Sequence, residues 1–389
     1  MDATIAARVM AGIPALNSSL YRRIRFLVGD PVALVELPSS GPADAGSSML
    51  ILRDIELQRA RRHARVDHVH CPADFAPAEG LSGDRETATA QALVECLCRQ
   101  GVQQVFADRT LPLIFVHQMQ RAGLVVSCDP QWGILERRQK DAEEIQWLQQ
   151  AQTATQQAVA MACETVARAM ADRDGILQWE GQPLTSERLR EMIDIWLLRH
   201  GYENPPSIVA GGPCGADCHD LGSGPLRTEQ PVIIDVFPRN RQTRYHGDCT
   251  RTVVHGLIPD QVRQMHAAVL IAKQAATAAC RSGATGQQVH EATSDSIIRQ
   301  GYQMGLPADD CPVDRCAMTH GTGHGVGLDV HEPPLLDRGG PELVIGDCLT
   351  IEPGLYAHAI GGVRVEDMVI VESDGCRNLN QIPEGLDWA

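Results

Sequence analysis

The sequence predicts an α+β fold, and three of its features carry that prediction. Short apolar strands alternate with amphipathic helices from about residue 30 to 130, and two longer helical stretches come next. Beyond residue 207 the acidic and histidine residues fall where strand-like runs end or pair. At 389 residues, length alone suggests two or three domains, with ample chain to bury a large core. The break between them is expected in DPQWGILERRQKDAEE (129–144), where a proline, a glycine and a run of charges interrupt the apolar rhythm. The expected domains are residues 1–137, a small α/β domain, and residues 138–389, a larger α+β domain.

In the first region VALVEL (32–37) and MLILRD (49–54) read as strands, ELQRARRHA (56–64) as a helix and VDHVHC (66–71) as a strand. Asp84 to Gln100 reads as a helix, with apolar positions at Ala88, Ala92, Val94, Leu97 and Cys98. VQQVFA (102–107), PLIFVHQMQRA (112–122) and LVVSC (124–128) then read as strand, helix and strand, which makes the sheet partly parallel. No glycine-rich phosphate loop accompanies them, so no nucleotide site is expected. In the second region Ile145, Leu148, Thr155, Val159, Ala162 and Val166 mark a long helix. Ser186 is expected to cap the next one, with Leu189, Ile193, Trp196 and Leu197 as its buried stripe and Gly201 as its end. SIVAGG (207–212), VIIDVF (232–237) and CTRTVV (249–254) read as strands, 259–280 and 286–301 as a helical pair, and 316–371 as a strand-rich close.

Composition narrows the function. A net charge of −15 argues against a broad phosphate-binding surface, so nucleic acid is not an expected partner, and it favours local accumulation of divalent cations. No stretch is long and apolar enough to span a bilayer, and MDATIAARVM lacks the basic start and unbroken apolar core of an export signal. The thirteen cysteines have no repeating spacing, which favours free, mostly buried thiols and a cytoplasmic protein.

The chemistry is concentrated in five stretches: VIIDVFPR, HGDCTRTVV, THGTGHGVGLDVHEPP, LTIEPGLY and GGVRVEDMVIV. Asp235 and Asp248 taken singly could each cap a turn. Glu352 and Glu366 lie in apolar strand-like runs, where an unpaired charge costs several kcal/mol, and Arg364 can satisfy only part of this set. His320, His324 and His331 are interleaved with glycines, which would weaken any helix but let backbone approach a ligand closely. Four carboxylates and an imidazole form a hard, oxygen-rich set that suits two divalent ions sharing bridges better than one zinc in a nitrogen- or sulfur-rich site.

Together these residues resemble the pita-bread metallopeptidases, the family of Xaa-Pro aminopeptidases, prolidases and methionine aminopeptidases, with creatinase as a metal-free relative. The resemblance covers about residues 138–389, and the alternating first region is similar to the smaller domain of prolidases and creatinase. It implies that Asp235, Asp248, His324, Glu352 and Glu366 are the ligands of two divalent ions, Asp248 and Glu366 bridging them. Manganese is the expected metal, with cobalt, zinc and iron also suited. It further implies a hydroxide held between the ions as nucleophile, Glu352 as proton shuttle, His219 near the scissile bond and His331 on the tetrahedral intermediate. His320 would shape the proline-side pocket, with Val326, Leu328 and Leu335 as candidates for its wall, and Arg364 would orient Glu366 or meet a substrate carboxylate.

The expected activity is removal of the first residue from peptides with proline second, by a homodimer. A dipeptidase and a non-catalytic pita-bread binding protein are the alternatives. One departure stands out. Thirteen positions separate Asp235 from Asp248, more than in familiar members, so PRNRQTRYHG is expected to lengthen a hairpin without moving its ends.

Overall fold

The computed structural model describes residues 5–38, 46–306 and 315–389. The chain divides into two compact units, Met1–Arg137 and Arg138–Ala389.

The first unit is a six-stranded sheet with the helices α1 (Ser18–Ile24), α2 (Leu57–His63), α3 (Arg85–Arg99) and α4 (Leu113–Arg121) around it. Its strands are β1 (Ile5–Gly12), β2 (Val32–Leu37), β3 (Ser47–Ile51), β4 (His68–His70), β5 (Val102–Ala107) and β6 (Val125–Cys128), in the spatial order β4-β3-β2-β1-β5-β6. β1 pairs antiparallel with β2 and parallel with β5. Its alternation divides the core. Ala7, Val9 and Ala11 pack into one cluster with Leu93 and Phe115, while Met10 joins Leu20, Ile24 and Trp132 in another. This central strand is absent from the sequence reading, because Arg8 breaks the apolar run.

In the second unit α5 (Ala142–Arg168) opens with a capping box between Asp141 and Glu144. α6 (Ser186–Arg199) is capped by the Thr185 side chain, which accepts from the Arg188 N–H, so the cap lies one residue before the expected Ser186. Both pack on an antiparallel sheet of β7 (Ile208–Gly211), β8 (Pro231–Val236) and β9 (Cys249–Val254), with Ala151 to Val166 of α5 in one cluster with the β8 side chains Val232, Ile234 and Val236. α7 (Asp260–Ala279) and α8 (Gly286–Arg299) back two further sheets. One has β10 (Gln303–Met304), β11 (Ala317–Met318), β15 (Gly354–Ala357) and β16 (Gly361–Arg364). The other runs β13 (Glu332–Leu336), β12 (Gly323–Gly325), β14 (Cys348–Ile351), β17 (Asp367–Glu372) and β18 (Gly375–Asn378). Every described cysteine is a free thiol; Cys311 lies outside the described residues.

The segment 238–247 does more than extend a hairpin. Arg239–Asn240 pairs with Tyr202–Glu203, Tyr245 is buried and donates to Glu144, and the His246 N–H reaches the Gly327 carbonyl at 2.9 Å. The strands it joins stay in register, with Asp235 opposite Thr250 and Val236 opposite Cys249.

Candidate metal centre

These three larger sheets of the second unit converge at one place. The Glu366 N–H donates to the Thr250 carbonyl, and Thr252 Oγ1 bridges the backbone of Arg364, so β9 lies against the turn from β16 to β17. β12 reaches the same place because Gly323 has no side chain: a Cβ there would lie 2.0 Å from the Thr350 carbonyl oxygen. The result is a cavity of about 310 Å³. Asp235, Asp248, His324, Glu352 and Glu366 all line it. So do His219, His320, His331 and Arg364, with His219 and His331 exposed.

Ligand atoms of Asp248, His324 and Glu366 lie within 4.8 Å of one another. The Nδ1 of His324 is 3.1 Å from the Gly325 carbonyl, which can only accept. The proton therefore sits on Nδ1, and Nε2 presents a lone pair. That lone pair faces Glu352 Oε1 at 3.4 Å and Asp248 Oδ2 at 3.8 Å, an arrangement of acceptor against carboxylates that a proton or a bound cation between them relieves. Asp235 Oδ1 is buried with no hydrogen-bond partner among the described residues. Burial, and then the charge of their neighbours, pushes the carboxyls of Asp248 and Glu366 well above the usual range, and burial raises Glu352 as well. One guanidinium, Arg364, is the sole side-chain cation in this lining. The donor set therefore fits divalent metal ions.

The surrounding side chains fix the set. Thr250 Oγ1 donates to Glu366 Oε2 at 2.7 Å, and Thr350 Oγ1 accepts from the His324 N–H and donates to Glu352. Gln152 on α5 holds both backbone groups of Asp248, at 2.8 and 2.7 Å. Arg364 is buried and donates to Asp235 Oδ2 at 2.7 Å, to the Tyr356 hydroxyl at 2.9 Å and to Thr250. Its carboxylate partner is thus Asp235, not the expected Glu366. Because Arg364 only donates, Tyr356 accepts from it and gives its own proton to His320 Nε2 at 2.7 Å, while His320 Nδ1 donates to the Gly321 carbonyl. Burial lowers the pKa of His320 and His324, so both stand neutral near pH 7.

Sequence reasoning missed Tyr356, Thr250, Thr350 and Gln152. The available signal was a polar residue within an apolar run or on a helix's buried face. Val326 and Leu328 are buried away from the cavity; Ile208, Phe237 and Val330 line it together with Leu335.

The description "Metallopeptidase family M24" matches residues 146–373, more than half of the chain. The chain belongs to metallopeptidase family M24. It is 36% identical over 181 residues to a "Probable dipeptidase PepE" of Mycobacterium tuberculosis, a match covering 46% of this chain and 45% of that one. It is 28% identical over 251 residues to a "Xaa-Pro dipeptidase" of Pyrococcus furiosus, covering 64% of each. The matched stretch thus spans about half the length of the first relative. The solved X-Pro aminopeptidase from Thermotoga maritima superposes with a TM-score of 0.77 over 98% of this chain and 97% of that one, at 20% identity. Family M24 and this likeness make the fold the α+β pita-bread fold. Among the described residues no helix is long and apolar enough to cross a membrane.

Proposed function

We propose that this chain is a metal-dependent peptidase that removes the first residue from peptides with proline in second position. The observation that carries this reading is the bare His324 Nε2 set among buried carboxylates in a cavity that also holds three more histidines. Asp235, Asp248, His324, Glu352 and Glu366 would hold two divalent ions, manganese first, with Asp248 and Glu366 shared between them. Bound ions would supply polarisation of the scissile carbonyl and acidification of the attacking water.

The remaining work falls to the chain's side chains. Glu352, steadied by Thr350, takes a proton from water and returns it to the departing proline nitrogen. His331 stands edge-on to His324, ring centroids 4.2 Å apart, and donates to the developing oxyanion. His219, exposed at the cavity, steadies the substrate near the scissile bond. Arg364 keeps Asp235 in place. A proline nitrogen carries no N–H in the peptide bond, so recognition must rest on the ring, for which Ile208, Phe237, Val330 and Leu335 provide an apolar wall.

The name of the Pyrococcus relative favours a second reading, hydrolysis of Xaa-Pro dipeptides. Mass spectrometry of manganese-loaded protein on Xaa-Pro, Xaa-Pro-Yaa and Xaa-Ala-Yaa peptides tests both. Cleavage after the first residue is expected on Xaa-Pro-Yaa and little on Xaa-Ala-Yaa. Equal rates on the proline and alanine peptides would refute proline recognition, and turnover of dipeptides alone would establish the second reading. Metal-loaded protein that cleaves none of them would refute both Xaa-Pro readings.

A further inference from the structure

The geometry points to Asp337 as the side chain that selects the third residue of the peptide, favouring a positive charge there and opposing the free carboxylate of a dipeptide. This rests on the proposed Xaa-Pro reading for the direction of the peptide. Asp337 is the one carboxylate of the cavity lining outside the candidate ligand set. Its side chain is 46% exposed, so it stands at the mouth, whereas the candidate ligands are buried or half-buried.

Its position along the cavity is set by Gly321. A Cβ on Gly321 would lie 3.1 Å from Asp337 Oδ2, so the carboxylate rests over the backbone immediately after His320. It is therefore on the His320 side, beside Leu335, where the proposed binding mode puts the proline ring and the residue after it. Oδ1 accepts from the Arg338 N–H at 2.7 Å and lies 3.5 Å from His290 Nε2. Oδ2 has no hydrogen bond among the described residues and is available to a ligand.

Within the cavity lining no uncommitted cation cancels the charge. His290 is held on α8 by Thr322, at 3.1 Å, and burial lowers its pKa, so it stands neutral near pH 7. Arg338 makes no ion pair among the described residues and does not line the cavity, and Arg364 is committed to Asp235. A dipeptide's carboxylate would thus meet an acid at the mouth and no uncommitted cation among the residues lining the cavity, whereas a lysine or arginine in third place would meet a partner.

The test uses three amidated peptides, Ala-Pro-Lys, Ala-Pro-Ala and Ala-Pro-Glu, so that only the third side chain changes charge. KM should rise from lysine through alanine to glutamate, about fivefold between the ends for a half-exposed charge. The order should flatten in Asp337→Asn and reverse in Asp337→Lys, with the change falling on KM rather than kcat. Calorimetric binding of the same peptides in EDTA reads this order even if none is cleaved, which separates failure of this inference from failure of the Xaa-Pro reading. An order that survives in Asp337→Asn, or no order in the wild type by either measurement, overturns the inference.

Discussion

Two residues that nearly touch, His324 and His331, are proposed to have different work, and substitution should separate them. His331→Ala removes an oxyanion donor without removing a ligand, so turnover should fall on the order of a hundredfold while metal content stays. Glu366→Gln should cost both, since an amide lacks the charge needed to share two cations. Parallel metal analysis and kinetics decide this, and loss of metal in His331→Ala would move that residue into the ligand set. Nine residues named from the sequence line this cavity. Glu352 and Glu366 stood out as carboxylates in apolar runs and His320, His324 and His331 as a cluster among glycines, while the others were drawn in chiefly by the family resemblance. Tyr356 was not legible. Its value lies in linking His320 to Arg364, and neither bond leaves a trace in local spacing.

At the level of elements, β12 reaches the centre only because Gly323 presses on β14. Gly323→Ala should push the strand outward, costing about 1–3 kcal/mol of stability and most of the activity. Thermal melting and turnover measured together check it, and a variant as stable and active as the parent would show that the strands can part freely. On α7, His266 Nε2 donates to the Glu384 carbonyl at 2.7 Å, and burial lowers its pKa. The unfolded chain therefore binds the proton more readily. The resulting stability is present above about pH 6.5 and is lost as pH falls toward the folded value. Wild type should lose more melting temperature between pH 7.5 and 5.5 than His266→Gln does, and equal losses would exclude this histidine as a cause. Helices and paired strands were readable from periodicity. β1 was not, because Arg8 interrupts its apolar run and its central place comes from pairing with β5 as well as β2, the former distant in sequence.

For the whole molecule, the order of strand and helix signals made two regions and an α+β second unit readable, but not which strands become neighbours. That grouping is non-local. The Arg364–Asp235 bond closes 129 positions, Thr250 to Glu366 closes 116, and Gln152 to Asn380 closes 228. A centre built from such closures does not exist in any short fragment of the chain. The loop entropy must be met before the ligands gather, which places their assembly late on the folding path. Divalent metal should then leave the refolding rate of the second unit nearly alone and slow its unfolding about tenfold or more, because the ion stabilises contacts that the transition state lacks. Stopped-flow fluorescence with and without manganese reads both rates, and acceleration of refolding would mean that the ligands meet early. The metal would thus act on how long a folded molecule lasts, not on how quickly one forms.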